Sequence, residues 1–132
     1  MDFAAAAAGD VSTAPHLELG RAAEAAAARH VERLGYRILT TNFRAKGGEL
    51  DLVAVDGAAL AIIEVRYRAS DRFGGAAASI TSGKRSRIVR AARALLATNP
   101  PLARLPARFD VVEVSGSVDD LCCDVIRGAF SL

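Results

Sequence analysis

The sequence predicts an α/β protein: a mixed central β-sheet flanked by helices, in the order α-β-β-β-α-β-β. Three observations predict it. An alanine-rich segment with helical spacing comes first, and three strand-like runs follow with turn signals between them. A second helical segment then separates that group from a final pair of strands. Packing a hairpin-rich sheet against two helices is the economical way to bury such elements. With 132 residues, 52% of them hydrophobic, the chain has material for one core.

The first helix is expected over His16–Leu34. Leu17, Gly20, Glu24, Ala27, Val31 and Leu34 follow 3-4 spacing and share one face, and Gly35 stands where a C-terminal cap belongs. Strands are expected at YRILTTNF (36–43), GGELDLVAVD (47–56) and ALAIIEVRYR (59–68), the last two joined by an Asp56-Gly57 turn. Residues 71–75 read as loop. Thr81 and Ser82 can cap a second helix that runs to about Asn99 and is stopped by Pro100-Pro101. Its apolar stripe is Ile88, Ala91, Ala92, Leu95 and Leu96. ARFDVVEV (107–114) and a weaker LCCDVI (121–126) close the order. Residues 1–15 read as a flexible alanine-rich tail and 16–132 as a single domain.

Composition excludes several classes. No apolar run approaches the roughly 20 residues of a membrane span, and the opening segment has acids where a signal peptide has a basic region. Cys122 and Cys123 are adjacent and point to opposite faces of a strand, so neither an ordinary disulfide nor a CxxC clip is expected; a reducing, cytoplasmic setting follows. No P-loop or GxGxxG motif is present, and His16 and His30 have no ligand spacing. The net charge of +2 hides a segregation. Residues 66–108 carry ten basic side chains and one acid, a net +9, which leaves −7 for the rest. Such asymmetry points to a polyanion, nucleic acid foremost, although arginines also serve as solvated surface.

Chemistry concentrates on the strands. Glu24 falls on the apolar stripe of the first helix, where an unpaired carboxylate is costly, or at its margin. Strand alternation puts Glu49 and Asp51 on one face with Leu50 and Leu52 on the other. In the next strand it puts Glu64 and Arg66 on one face, opposite Ile63, Val65 and Tyr67. Hairpin pairing around Asp56-Gly57 brings Asp51, Glu64 and Arg66 within reach of each other. Two converging carboxylates repel unless a cation lies between them, and carboxylate oxygens favour magnesium or manganese. A buried Asp51–Arg66–Glu64 ion-pair cluster is the other arrangement these residues allow. In the second helix, Lys84 points toward the sheet, a candidate phosphate contact, whereas Arg87, Arg90 and Arg93 line the opposite, solvated face. Arg44, Lys46, Arg68, Arg72 and Arg85 are further candidates for nucleic-acid contact.

The motifs GYRIL (35–39), Asn42 and Arg44, GGELDLV (47–53), EVRYR (64–68), Phe73-Gly74, Lys84, RFDVVEV (108–114) and a closing Ala129-Phe130, with a glutamate in the first helix, form a pattern. It resembles the YraN-like family of small bacterial proteins of uncharacterised function, placed in the PD-(D/E)XK nuclease superfamily and similar in fold to archaeal Holliday-junction resolvases. The resemblance spans about residues 17–130. It implies a restriction-endonuclease-like core and metal ligation by Asp51, Glu64 and the backbone carbonyl of Val65. Glu24 becomes an outer acidic member, and Glu49 a contact to a second metal or its water. Arg66 stands in the place of the signature lysine. The implied activity is magnesium- or manganese-dependent endonucleolytic hydrolysis of phosphodiester bonds in structured or branched DNA, with a homodimer as a common arrangement. Arginine is always charged and cannot act as a neutral amine base. A catalytically silent nucleic-acid-binding module is therefore the alternative, and an adaptor using the acidic segment 119–124 a third.

Overall fold

A computed structural model of the chain describes residues 15–68 and 80–130, with side chains from residue 18 onward. Helix α1 (Pro15–Arg33) leads into β1 (Arg37–Ala45), β2 (Gly48–Asp56) and β3 (Ala59–Arg68). Helix α2 (Ser82–Thr98), a single turn α3 (Pro100–Ala103), β4 (Ala107–Ser117) and β5 (Asp120–Phe130) follow. The strands form one five-stranded sheet in the order β1-β2-β3-β4-β5. All pairings are antiparallel except β3–β4. A parallel neighbour needs a crossover, and α2 lies in that connection. The expected α/β class and element order are present, and residues 1–14 and the loop at 71–75 fall outside the described residues.

Local chemistry explains the boundaries. Helix α1 closes with a Schellman cap: the Tyr36 N–H reaches the Val31 carbonyl at 2.9 Å and the Gly35 N–H reaches that of Glu32 at 3.0 Å. Gly35 has φ +100°, a conformation that favours glycine. Tyr36 is thereby consumed in the cap, so β1 starts at Arg37 rather than at 36. The Thr81 hydroxyl accepts from the Lys84 N–H at 3.1 Å, fixing the first turn of α2. Strand β5 runs to Phe130, well beyond the expected 126, because Phe130 pairs with Phe109 and stacks on it at 4.9 Å.

Each face of the sheet has its own core. On one, Ala23, Ala27 and Val31 of α1 pack with Leu52, Ala54, Ala61, Ile63, Val112 and Val114. On the other, Ile88, Ala91, Ala92 and Leu95 of α2 pack with Leu50, Val53, Leu60, Ile62, Phe109 and Val111. The stripe of α2 is the expected one. That of α1 is shifted: Leu34 is 47% exposed because the chain turns at Gly35 before its side chain can return to the sheet, and Ala23 takes the buried place.

Candidate active site

Strand β2 does not alternate as expected. Leu50 belongs to the core beneath α2 and Leu52 to the core beneath α1, so the faces exchange across Asp51. The neighbouring strand is irregular at the same place: Asn42, between the pairs Thr41–Leu52 and Phe43–Leu50, has φ +52°, the only positive φ of a non-glycine residue among those described. Leu50 and Leu52 therefore do not share a face, while Glu49 and Asp51 line one cavity, Glu49 exposed and paired with Arg44 at 3.6 Å.

The ladder between β2 and β3 runs from Asp56–Ala59 to Leu52–Ile63 and stops. Beyond it, Asp51 Oδ2 accepts the Val65 N–H at 2.8 Å, a side chain standing where a strand carbonyl would be. Glu64, 5% exposed, points toward α2 and meets Lys84 Nζ at 2.6 Å. Burial first, then the Glu64 charge, push the Asp51 carboxyl up to about 7; the Val65 N–H and Lys84 oppose the shift. A cavity of about 620 Å³ opens over this pair, with Asp51, Glu64 and Glu49 in its wall and Arg44, Lys84 and Arg87 supplying positive charge.

The backbone lets this cavity form. The tip of the β1–β2 hairpin lies directly on α2, where a β-carbon at Gly48 would collide with the Arg87 carbonyl. Glycine at 48 is thus a packing requirement, and at Gly47 the φ of +92° favours glycine as well.

The expected site residues divide. Asp51, Glu64 and Lys84 converge, with the Val65 N–H tied into the group. Glu24 is half-buried and lies on the α1 side, in a separate cavity of about 250 Å³ with Asn42 and Thr41. Burial and the nearby Asp51 raise its pKa, and a hydrogen bond with Asn42 opposes them. Arg66 shares the face of Glu64 by alternation and stands in register with Glu113 of β4, but it does not line the cavity. Arg68 pairs with Glu113 at 2.9 Å. Arg85 lies over the Phe130 ring at 5.2 Å, away from the acidic pair, and Lys46 is exposed in the hairpin turn. Arg72 falls outside the described residues. Among the described residues, no three His, Cys, Asp or Glu side chains gather as a metal-binding cluster.

Two features escaped the sequence. Arg87, expected on the solvated face, lines the cavity; its spacing of three from Lys84 was the available signal. The other is a polar network on the α1 face of the sheet around Asp110, which is wholly buried. Arg108 reaches both Asp110 oxygens at 2.7 and 2.8 Å and Asp56 at 2.8 Å. The Gly128 N–H donates to Asp110 at 2.9 Å, and Arg127 donates to the Tyr36 hydroxyl at 3.0 Å. An aspartate inside the apolar run RFDVV was its only mark in the sequence.

Fold and site define a small α/β protein whose mixed sheet presents two carboxylates in one cavity to a basic helix. The chain belongs to the uncharacterised protein family UPF0102, whose profile matches residues 23–114; this is the YraN-like family of the sequence resemblance. It is 51% identical over 113 residues to a UPF0102 protein of Xanthomonas campestris pv. campestris (strain B100), covering 86% of this chain and 91% of that one. Against a UPF0102 protein of Xylella fastidiosa (strain 9a5c) it is 47% identical over 115 residues, 87% and 93% of the two chains. A UPF0102 protein of Dechloromonas aromatica (strain RCB) is 52% identical over 97 residues, 74% and 78%. Among the described residues, no helix is long and apolar enough to cross a membrane.

Proposed function

We propose that this protein is a divalent-metal-dependent endonuclease acting on structured or branched DNA, with Asp51 and Glu64 as its metal-holding pair. One observation carries the reading: two carboxylates, Asp51 tied to the Val65 N–H and Glu64 buried, line one cavity whose rim is basic. Converging carboxylates repel unless they share a proton or take up a cation, and their hard oxygens suit magnesium or manganese. The residues present fit one such ion, held by Asp51, Glu64 and, as in the superfamily the sequence resembles, the Val65 carbonyl. When bound, the metal supplies Lewis-acid charge at a phosphoryl group and lowers the pKa of water. Asp51 is oriented for this by the Val65 N–H. Glu64 is fixed by burial, and Arg44 and Arg87 draw a phosphate backbone to the rim. Glu24 acts on Asp51 through its charge from the other side of the sheet. The free Cys122 and Cys123 suit a reducing, cytoplasmic setting.

Incubation with four-way junction, flap, single-stranded and RNA substrates in magnesium or manganese tests the proposal. Asp51→Ala and Glu64→Ala should each abolish cleavage; cleavage persisting equally in both would mark a contaminant and end the enzyme reading. A catalytically silent nucleic-acid-binding module is favoured by one observation, that Lys84 already neutralises Glu64 without any metal. Salt-sensitive binding without cleavage would select it.

A further inference from the structure

We propose that Lys84 is a displaceable counterion: it holds Glu64 in the metal-free protein and transfers its charge to a substrate phosphate when a divalent cation takes its place. The inference rests on the metal-dependent reading of the Asp51–Glu64 pair and assigns the phosphate-neutralising cation to α2 rather than to Arg66 of β3.

Three observations carry it. The Lys84 ammonium touches Glu64 at 2.6 Å, the contact a cation at this pair would have to replace. Exposure is unequal: the Lys84 side chain is 36% accessible and that of Glu64 6%, so the lysine can leave and the glutamate cannot. Lys84 also shares the cavity with Asp51 and Arg87, whereas Arg66 does not line it.

The anchoring of Lys84 suits an exchange. Its backbone N–H is fixed by Thr81, so motion is confined to the side chain. Lysine carries a compact charge on a flexible four-carbon stem with three rotatable donors, which lets it change acceptors where a planar guanidinium would lose its geometry. A divalent cation beside Glu64 repels the ammonium and satisfies the carboxylate, and both effects drive Lys84 into the open cavity. There Arg44 and Arg87 already favour an anion.

Opposite signs in two binding measurements separate this role from a structural one. Manganese binding to the full chain is measured by calorimetry for wild type, Lys84→Met, Lys84→Gln and Arg66→Met, after circular dichroism confirms folding. Binding of a hydrolysis-resistant phosphorothioate 12-mer is measured by fluorescence anisotropy, with manganese and with EDTA. Both Lys84 variants should bind manganese roughly tenfold more tightly or better, because a like charge has gone. In manganese, both should bind the 12-mer at least about fivefold more weakly, with a smaller loss in EDTA, where wild-type Lys84 stays on Glu64. Unchanged or weaker manganese binding in both Lys84 variants overturns the proposal, as does Arg66→Met reproducing the two opposed effects. If wild type gives no manganese heat and Asp51→Ala is indistinguishable from it, the metal reading itself fails and the counterion role falls with it.

Discussion

The Tyr36 hydroxyl donates a 2.9 Å hydrogen bond to Asp110, 74 positions along the chain, joining the cap of α1 to the centre of β4. Asp110 also takes both contacts from Arg108 and the Gly128 N–H, so α1, β4 and β5 meet on one buried carboxylate. Asp110→Ala should cost about 3–5 kcal/mol, since it leaves the Tyr36 hydroxyl and the Gly128 N–H without this acceptor and Arg108 with Asp56 alone. Tyr36→Phe removes hydrogen bonds but keeps the ring, and about 1–2 kcal/mol is expected. Urea denaturation followed by circular dichroism checks both. The network lies on the α1 face of the sheet and the Asp51–Glu64 cavity faces α2, so Tyr36→Phe should leave manganese affinity unchanged.

Gly48→Ala tests how closely the β1–β2 hairpin must approach α2. A methyl group there meets the Arg87 carbonyl, which is backbone and cannot swing aside. The hairpin tip must lift or α2 must shift, at an expected cost of about 2 kcal/mol or more. Gly57→Ala is the comparison: open space surrounds that position, leaving only the strain of φ +62°. Denaturation midpoints equal in the two variants would show that the tip does not bear on the helix.

Much of the site was legible because its signals are violations of local pattern. Glu64 stands out inside an apolar strand, and Lys84 interrupts the stripe that continues at Ile88. What stayed hidden depends on backbone irregularity or distant partners. The positive φ of Asn42 carries no mark in the sequence, and neither does the exchange of faces beside it that sends Leu50 and Leu52 to different cores. The β2–β3 ladder stops at Leu52, which fixes Asp51 on the Val65 N–H, and no count of residues foretells where a ladder ends. The sequence resemblance puts Arg66 in the place of the signature lysine and leaves Lys84 as a candidate phosphate contact; only the packing of α2 on the sheet brings Lys84 to Glu64. Arg108 reaches Asp110 from two positions along β4, but the Tyr36 donor and Asp56, the other acceptor of Arg108, lie far away in the chain, beyond the reach of any spacing rule.

Charge on the cavity rim predicts a salt signature. Arg44, Lys84 and Arg87 line the cavity, and Arg44 and Arg87 are exposed. Each phosphate contact should contribute about 0.7 to the slope of log affinity against log salt for single strands and about 0.9 for duplex DNA. Arg87→Ala should lower the slope by about that amount and weaken binding evenly across sequences. Arg85→Ala should leave the slope unchanged, because its guanidinium lies over Phe130. Anisotropy titrations between roughly 50 and 200 mM salt read both. A slope that responds to Arg85 and not to Arg87 would move the nucleic-acid path away from this cavity.

The raised Asp51 carboxyl sets the pH dependence of stability in the metal-free protein. Its folded-state value of about 7 exceeds the ordinary 3.8, so between these values the native state holds a proton that the unfolded chain has released. Stability therefore falls as pH rises through this window, because deprotonation leaves Asp51 charged, buried and beside Glu64. A shift of this size corresponds to roughly 2–4 kcal/mol by pH 8. Asp51→Asn removes that charge, and it should stabilise the EDTA-treated protein at pH 8 while having little effect near pH 4. Denaturation at the two pH values measures the difference. Saturating manganese should reverse the order at pH 8, stabilising wild type and leaving Asp51→Asn behind, because a cation replaces the proton only where two carboxylates remain. If Asp51→Asn is less stable than wild type at pH 8 without metal, the Val65 hydrogen bond outweighs the repulsion from Glu64, and the pair is a fixture of the sheet rather than a cation site held in tension.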